Sequence, residues 1–140
     1  MPTSTSSAVW EGGLRNGKGR YSAGSGAFAG EYTFLTRFEG AAGTNPEELI
    51  AAAHAGCFSM ALAGKLTTAG SPPERIATTA TVTLEKTDAG QTVTAVHLKT
   101  TANVPGMSAA AFAEQAESAK ATCPISRLLN ARITLDASLE

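Results

Sequence analysis

The chain has 140 residues, a formal net charge of −1 and an apolar fraction of 43%. That length suits a single domain, 1–140, able to bury a core of its own. The near-neutral charge, with no run of like charges, offers no footing for nucleic acid or for an anionic membrane surface.

Met1 to Ser7 is small and polar. It lacks the basic start and apolar stretch of a signal peptide and reads as a frayed end. Ala8 to Glu11, Gly19 to Ala23 and Glu31 to Phe38 then read as short strands separated by glycine turns, the third rich in aromatic and threonine residues. A polar turn, Glu39 to Thr44, leads into a helix with strong start signals. Thr44 or Asn45 can cap it, Pro46 suits the first helical position, and Glu47 and Glu48 lie in the first turn. From Leu49 to about Thr67, apolar residues occupy nearly the whole circumference, which predicts a helix buried on most sides. Gly56 and Gly64 inside it each cost roughly 1 kcal/mol relative to Ala, and they allow another backbone to come close. No apolar run is read as long enough to span a bilayer.

Beyond Gly70-Ser71-Pro72-Pro73, Ile76, Thr78, Ala80, Val82 and Leu84 alternate with their neighbours. Asp88-Ala89-Gly90 is a turn, and Thr92 to Val104 returns with Val96, Leu98 and Val104 on one face. The two segments predict a β-hairpin with one buried face. Ser108 caps a helix to about Ala121 with Phe112 and Ala116 inward. Cys123-Pro124 opens a short helix through Leu129, and Arg132 to Leu139 closes as a strand. The order predicts an α+β fold: antiparallel strands, a buried helix, a hairpin, helices and a last strand. That helix is too apolar for a monomer of this size to cover, which points to a partner subunit.

The chain has two cysteines, Cys57 and Cys123. With no signal peptide read, the compartment is expected to be reducing and cytoplasmic, which speaks against a permanent structural disulfide. Free Cys is otherwise a common core residue. Cys57 falls deep in the apolar helix, where the surroundings raise a thiol's pKa and leave it inert unless a cation attends it. Arg37, at the end of the third predicted strand, is the local candidate for that cation; the other reading is a solvated strand end. Cys123 precedes Pro124 at the start of a short helix, whose partial positive charge favours a thiolate. On these grounds alone Cys123 is the more acidic thiol.

His54 lies three residues before Cys57 on the same helix face, which opens two further readings. One is a zinc site completed by Cys123 and His97, against which stands the absence of paired Cys-x-x-Cys spacing. The other is a Cys–His hydrolase pair, which residues at i and i+3 seldom align. Otherwise His54 is a packed helix residue with a satisfied hydrogen bond. His97 points away from the Val96/Leu98 side of its strand and reads as solvated.

Thr36-Arg37-Phe38-Glu39-Gly40, then Gly43-Thr44-Asn45-Pro46-Glu47-Glu48-Leu49, then Ala53-His54-Ala55-Gly56-Cys57-Phe58-Ser59-Met60-Ala61-Leu62 together resemble the signature of the osmotically inducible protein C (OsmC/Ohr) family. Cys123-Pro124-Ile125-Ser126 followed by Leu128-Leu129 resembles its second signature, and Trp10-Glu11-Gly12 and Thr134-Leu135-Asp136 also match. The likeness covers nearly the whole chain. Arg37 ten residues before Glu47, and His54 before the cysteine, look more like the OsmC branch than the Ohr branch. Gly56 stands where the family has alanine.

The resemblance implies an intertwined homodimer with antiparallel sheets wrapped around a buried central helix, and a thiol-dependent peroxidase that reduces organic hydroperoxides. It makes Cys57 the peroxidatic cysteine, oxidised to a sulfenic acid, and Cys123 the resolving cysteine, which forms a disulfide with it. It makes Arg37 the group that holds Cys57 as a thiolate, and Glu47 the group that orients Arg37. It implies no metal and no bound cofactor, and a dithiol reductant such as a dihydrolipoyl group on protein. The alternative it leaves open is a non-catalytic stress or ligand-binding protein on the same fold.

Overall fold

The computed structural model describes residues 1–140 and divides into two compact units, Met1–Glu48 and Leu49–Glu140. In the first unit, β1 (Ser6–Glu11), β2 (Lys18–Ala23) and β3 (Ala29–Tyr32) form an antiparallel sheet in the order β1-β2-β3. Tyr21 and Tyr32 stack at 5.1 Å between ring centroids. They do so across Gly19, where a Cβ would strike the Tyr32 ring, so a side chain there would displace the stack.

The third predicted strand is cut short. It ends at Tyr32, and Phe34–Phe38 forms a helix, α1. The cause is a capping box that the aromatic composition hides. The Thr33 hydroxyl accepts from the Thr36 N–H while the Thr36 hydroxyl accepts from the Thr33 N–H, so two donors orphaned by a helix start are satisfied reciprocally. Arg37 therefore sits in the last turn of a helix, not at the end of a strand.

The next helix, α2 (Pro46–Thr68), begins where the sequence signals place it. Asn45 Oδ1 accepts from the Glu48 N–H at 2.9 Å, and Asn45 Nδ2 donates to the Thr36 carbonyl at 3.2 Å, tying the cap to α1. The expectation of burial on most sides is corrected within the single chain. Residues His54, Phe58, Leu62 and Leu66, four apart, are fully buried, whereas Ala53, Gly56, Met60 and Gly64 on the opposite face are exposed. One sheet covers one face of a helix. The expected absence of a run long enough to cross a bilayer is also corrected: by length and composition alone, the 23 residues of α2 suffice. Its leucine and phenylalanine face instead forms part of a protein core.

That core belongs to the second unit. Its sheet has the order β4 (Arg75–Thr87), β5 (Gly90–Asn103), β6 (Arg132–Leu139). β4 and β5 form the predicted hairpin, with an irregularity in register at Thr83/Leu84. β6 departs from the antiparallel expectation and pairs parallel to β5, with Ala95 opposite Arg132 and Ala102 opposite Leu139. The connection explains this. Two helices, α3 (Ala109–Thr122) and α4 (Pro124–Leu128), carry the chain back to the end at which β5 began, as a parallel crossover requires. Val96, Leu98 and Ala102 of β5 meet Phe58, Leu62 and Leu66 of α2 and Phe112, Ala116 and Ala119 of α3 in one buried cluster. Burying a side chain such as Phe58 contributes roughly 1.5–3 kcal/mol.

Candidate active site

The four predicted site residues fall into two pairs, one in each unit. In the first, Arg37 grips Glu47 along one edge: Nη2 is 2.7 Å and Nε 3.0 Å from Oε1, and Nε is 3.3 Å from Oε2. The Glu47 side chain is 11% exposed and that of Arg37 35%, so the pair is partly withdrawn from water. A charge-assisted fork of this kind fixes the guanidinium plane as well as its charge. Nη1 is left outside the fork, with its donors uncommitted. The sequence puts both residues at helix ends that face one another: Arg37 in the last turn of α1, Glu47 in the first turn of α2. A cavity of about 350 Å³ opens beside Arg37, walled by Trp10, Leu14, Tyr32, Phe34 and Phe38. Its lining is aromatic and aliphatic apart from Thr33 and the arginine.

The second pair is Cys57 and Cys123, both reduced. Cys57 comes from the middle of α2, and Cys123 is at once the C-cap of α3 and the N-cap of α4. The first turn of α4 serves both sulfurs. Pro124, lacking an N–H, leaves no orphan at the first position. The Ile125 backbone lies close enough to Cys57 to favour its ionised form, and the Ser126 N–H donates to Cys123 Sγ at 3.4 Å. The two thiols are thereby neighbours, close enough for Cys123 to act on the ionisation of Cys57. Burial pushes the Cys57 thiol above the usual cysteine value; the Ile125 backbone pulls it back in part, and Cys123 raises it further.

His54 is fully buried one turn before Cys57. Its Nε2 lies 2.7 Å from Ser126 Oγ, and that hydroxyl lies 3.2 Å from Cys123 Sγ. His54 is thus the packed helix residue with a satisfied hydrogen bond that the sequence suggested, while its other ring nitrogen, Nδ1, is buried without a partner. Burial also lowers its pKa, which keeps the ring neutral. The sequence reading missed Ser126. Its one signal was the Cys-x-x-Ser spacing at a helix start, which puts the third-position N–H and hydroxyl back against the capping sulfur. His97 is exposed on the outer side of β5, 2.6 Å from Thr134 Oγ1, so the four-ligand zinc set does not assemble.

Comparison with known proteins bears on this geometry. A family model described as OsmC-like protein matches residues 39–138. Over 134 residues the chain is 52% identical to peroxiredoxin OsmC of Escherichia coli K12, covering 95% of this chain and 94% of that protein. Among solved structures, an organic hydroperoxide resistance protein OsmC from Legionella pneumophila superposes with a TM-score of 0.71 at 22% identity, covering 97% of this chain and 96% of that one. The organic hydroperoxide resistance protein OhrB of Bacillus subtilis gives a TM-score of 0.69 at 22% identity, covering 97% and 98%. At those identities the two structures speak to the fold.

Proposed function

The chain belongs to the OsmC-like protein family and is a cysteine-based peroxidase of the peroxiredoxin type; we propose that it reduces organic hydroperoxides to alcohols through a sulfenic acid on Cys57 and a disulfide to Cys123. The observation that carries the reading is the meeting of two reduced thiols at the first turn of α4, where the Ser126 N–H donates to Cys123 Sγ and Cys123 lies beside Cys57.

The chemistry balances on these residues. The Cys57 thiolate attacks the outer peroxide oxygen, the O–O bond breaks, and the alkoxide leaves with a proton as the alcohol. The Cys57 sulfenic acid and the Cys123 thiol then form an S–S bond and release water. An external dithiol, such as a dihydrolipoyl group, takes up the disulfide and restores both thiols. Quick resolution protects Cys57 from irreversible oxidation.

Burial opposes ionisation of Cys57, so a cation is required. Arg37 is the residue proposed for that role, with Glu47 holding its plane and Nη1 left to face sulfur and peroxide. The working unit is a homodimer in which each 1–140 domain takes Arg37 and Glu47 from its partner. The aromatic walls beside Arg37 favour a peroxide with a bulky apolar group over hydrogen peroxide. The protein acts in a reducing compartment, the cytoplasm.

The test is peroxide consumption with tert-butyl hydroperoxide and hydrogen peroxide, each with dihydrolipoamide or thioredoxin as reductant. The organic substrate with dihydrolipoamide is expected to turn over fastest. Cys57→Ser is expected to abolish turnover, and Cys123→Ser to leave one stoichiometric reaction. Sustained turnover by Cys57→Ser would reverse the cysteine assignment.

A further inference from the structure

Resolution requires Cys123 to lose a proton as it attacks, and the proton's route is marked by a chain of buried groups. Ser126 Oγ lies between Cys123 Sγ at 3.2 Å and His54 Nε2 at 2.7 Å. A hydroxyl has one hydrogen to give and two lone pairs to accept with. The backbone N–H of the same serine already donates to Cys123 Sγ. The thiol hydrogen is then best placed on the hydroxyl, and the hydroxyl hydrogen on Nε2. This direction needs the tautomer with its proton on Nδ1, the atom that is buried with no partner. Buried polar side-chain atoms are nearly always paired, so a histidine retained half-paired calls for a reason beyond packing.

We propose that Ser126 and His54 form a proton relay for the resolving step, with Ser126 in contact with the reacting sulfur and His54 acting through it. The inference rests on the proposed reaction of Cys57 with peroxide. As Cys123 Sγ bonds to Cys57 Sγ, the S–O bond of the sulfenic acid breaks and its oxygen leaves as hydroxide. The Cys123 proton passes to Ser126 Oγ while the Ser126 proton passes to Nε2. The relay then returns one proton to the hydroxide, which departs as water. No proton is taken up or lost overall, so the imidazolium is transient and its unpaired Nδ1–H is not left buried beside a lasting charge. Cys123 faces His54 through Ser126 from α4, and Cys57 lies three residues along the same helix. Within the single chain burial is what lowers the basicity of the ring, and in the proposed dimer the partner's Arg37 and Glu47 approach the same helix at Cys57.

The test separates oxidation of Cys57 from its resolution. Full-length reduced protein is mixed with one equivalent of cumene hydroperoxide. The sulfenic acid is followed by a selective trap and the disulfide by mass spectrometry. Ser126→Ala and His54→Gln are expected to form the sulfenic acid as fast as the unsubstituted protein but the disulfide about 10²-fold more slowly, the usual contribution of one general base. Glutamine at 54 can accept a hydrogen bond yet cannot take a proton, so it separates basicity from packing. In the unsubstituted protein the resolving rate should fall as acid protonates His54. In His54→Gln that limb should vanish and the rate should climb with pH instead. Ser126→Thr, which keeps the hydroxyl, should restore most of the rate. A disulfide step within about twofold of normal in Ser126→Ala, or an unchanged pH profile in His54→Gln, overturns the relay. If the unsubstituted protein forms no sulfenic acid, the peroxide reading itself fails and the relay with it.

Discussion

A buried neutral imidazole and a buried thiol act on stability at opposite ends of the pH scale. The pKa of His54 is depressed from its ordinary 6.5, so the unfolded chain takes up a proton first as pH falls. The stability this histidine confers is fully present above about 6.5 and is lost as pH drops through the folded value. The pKa of Cys57 is raised from its ordinary 9.0, so its contribution is present below that value and is lost as pH climbs through the folded one. Urea midpoints of the isolated subunit, in which no partner arginine attends Cys57, should fall at both ends of the pH scale. His54→Gln should flatten the acid limb, and Cys57→Ser the alkaline one. Arg37→Met should move the pH profile of Cys57 alkylation upward and slow its oxidation, with the midpoint little changed; an unmoved profile would show that another group holds the thiolate. Cys57, Cys123, Arg37 and Glu47 were all nominated by the sequence, because each stands in a motif. The Ser126–His54 contact was not. Its partners lie 72 residues apart, and no local pattern announces a hydrogen bond across that distance.

At the level of elements, α1 shows where composition misleads. Its aromatics and threonines favour a strand, and two of those threonines instead build a reciprocal cap. Thr33→Ala should cost about 1 kcal/mol, and it should loosen the Arg37–Glu47 fork by freeing the end of α1. Urea unfolding and the Cys57 alkylation profile would register the two effects separately. Helix α2 was legible from cap to core because its signals are local: Asn45, Pro46, two acidic residues, then an apolar run. Its exposed side offers a sharper test. A Cβ built on Gly56 meets nothing within 4 Å in the single chain. Gly56→Leu should therefore leave an isolated subunit intact, since leucine is the better helix former. If a second copy packs there, it should convert dimer to monomer on gel filtration. The parallel course of β6 was beyond reading, because alternation of side chains is the same in either direction.

For the whole molecule, the proposed reaction needs an arginine beside Cys57. Glu47 and Cys57 lie ten residues apart on α2, a rise of about 15 Å. A carboxylate so far along the axis is poorly placed to steady an arginine at Cys57. Antiparallel packing of two α2 helices about a two-fold axis would bring the first turn of one beside the middle of the other, twice over. Met60, 80% exposed in the single chain, would be covered by the same contact. Subunits carrying Glu47→Ala and subunits carrying Cys57→Ser should each be inactive alone. Mixed after proven subunit exchange, they should regain activity, because one site of the mixed dimer carries both lesions and the other none. No recovery would refute the shared site. The parallel pairing of β5 with β6 has a further consequence, for synthesis. His97 and Thr134, bonded across that pair, are 37 residues apart, and both Cys123 and α4 lie in the loop between the two strands. Contacts so distant form late in folding. At about 5–20 residues per second, Cys57 of a growing chain is made seconds before β6 emerges. During that interval Cys57 is a thiol without the seated neighbour with which, in the proposed reaction, it forms a disulfide.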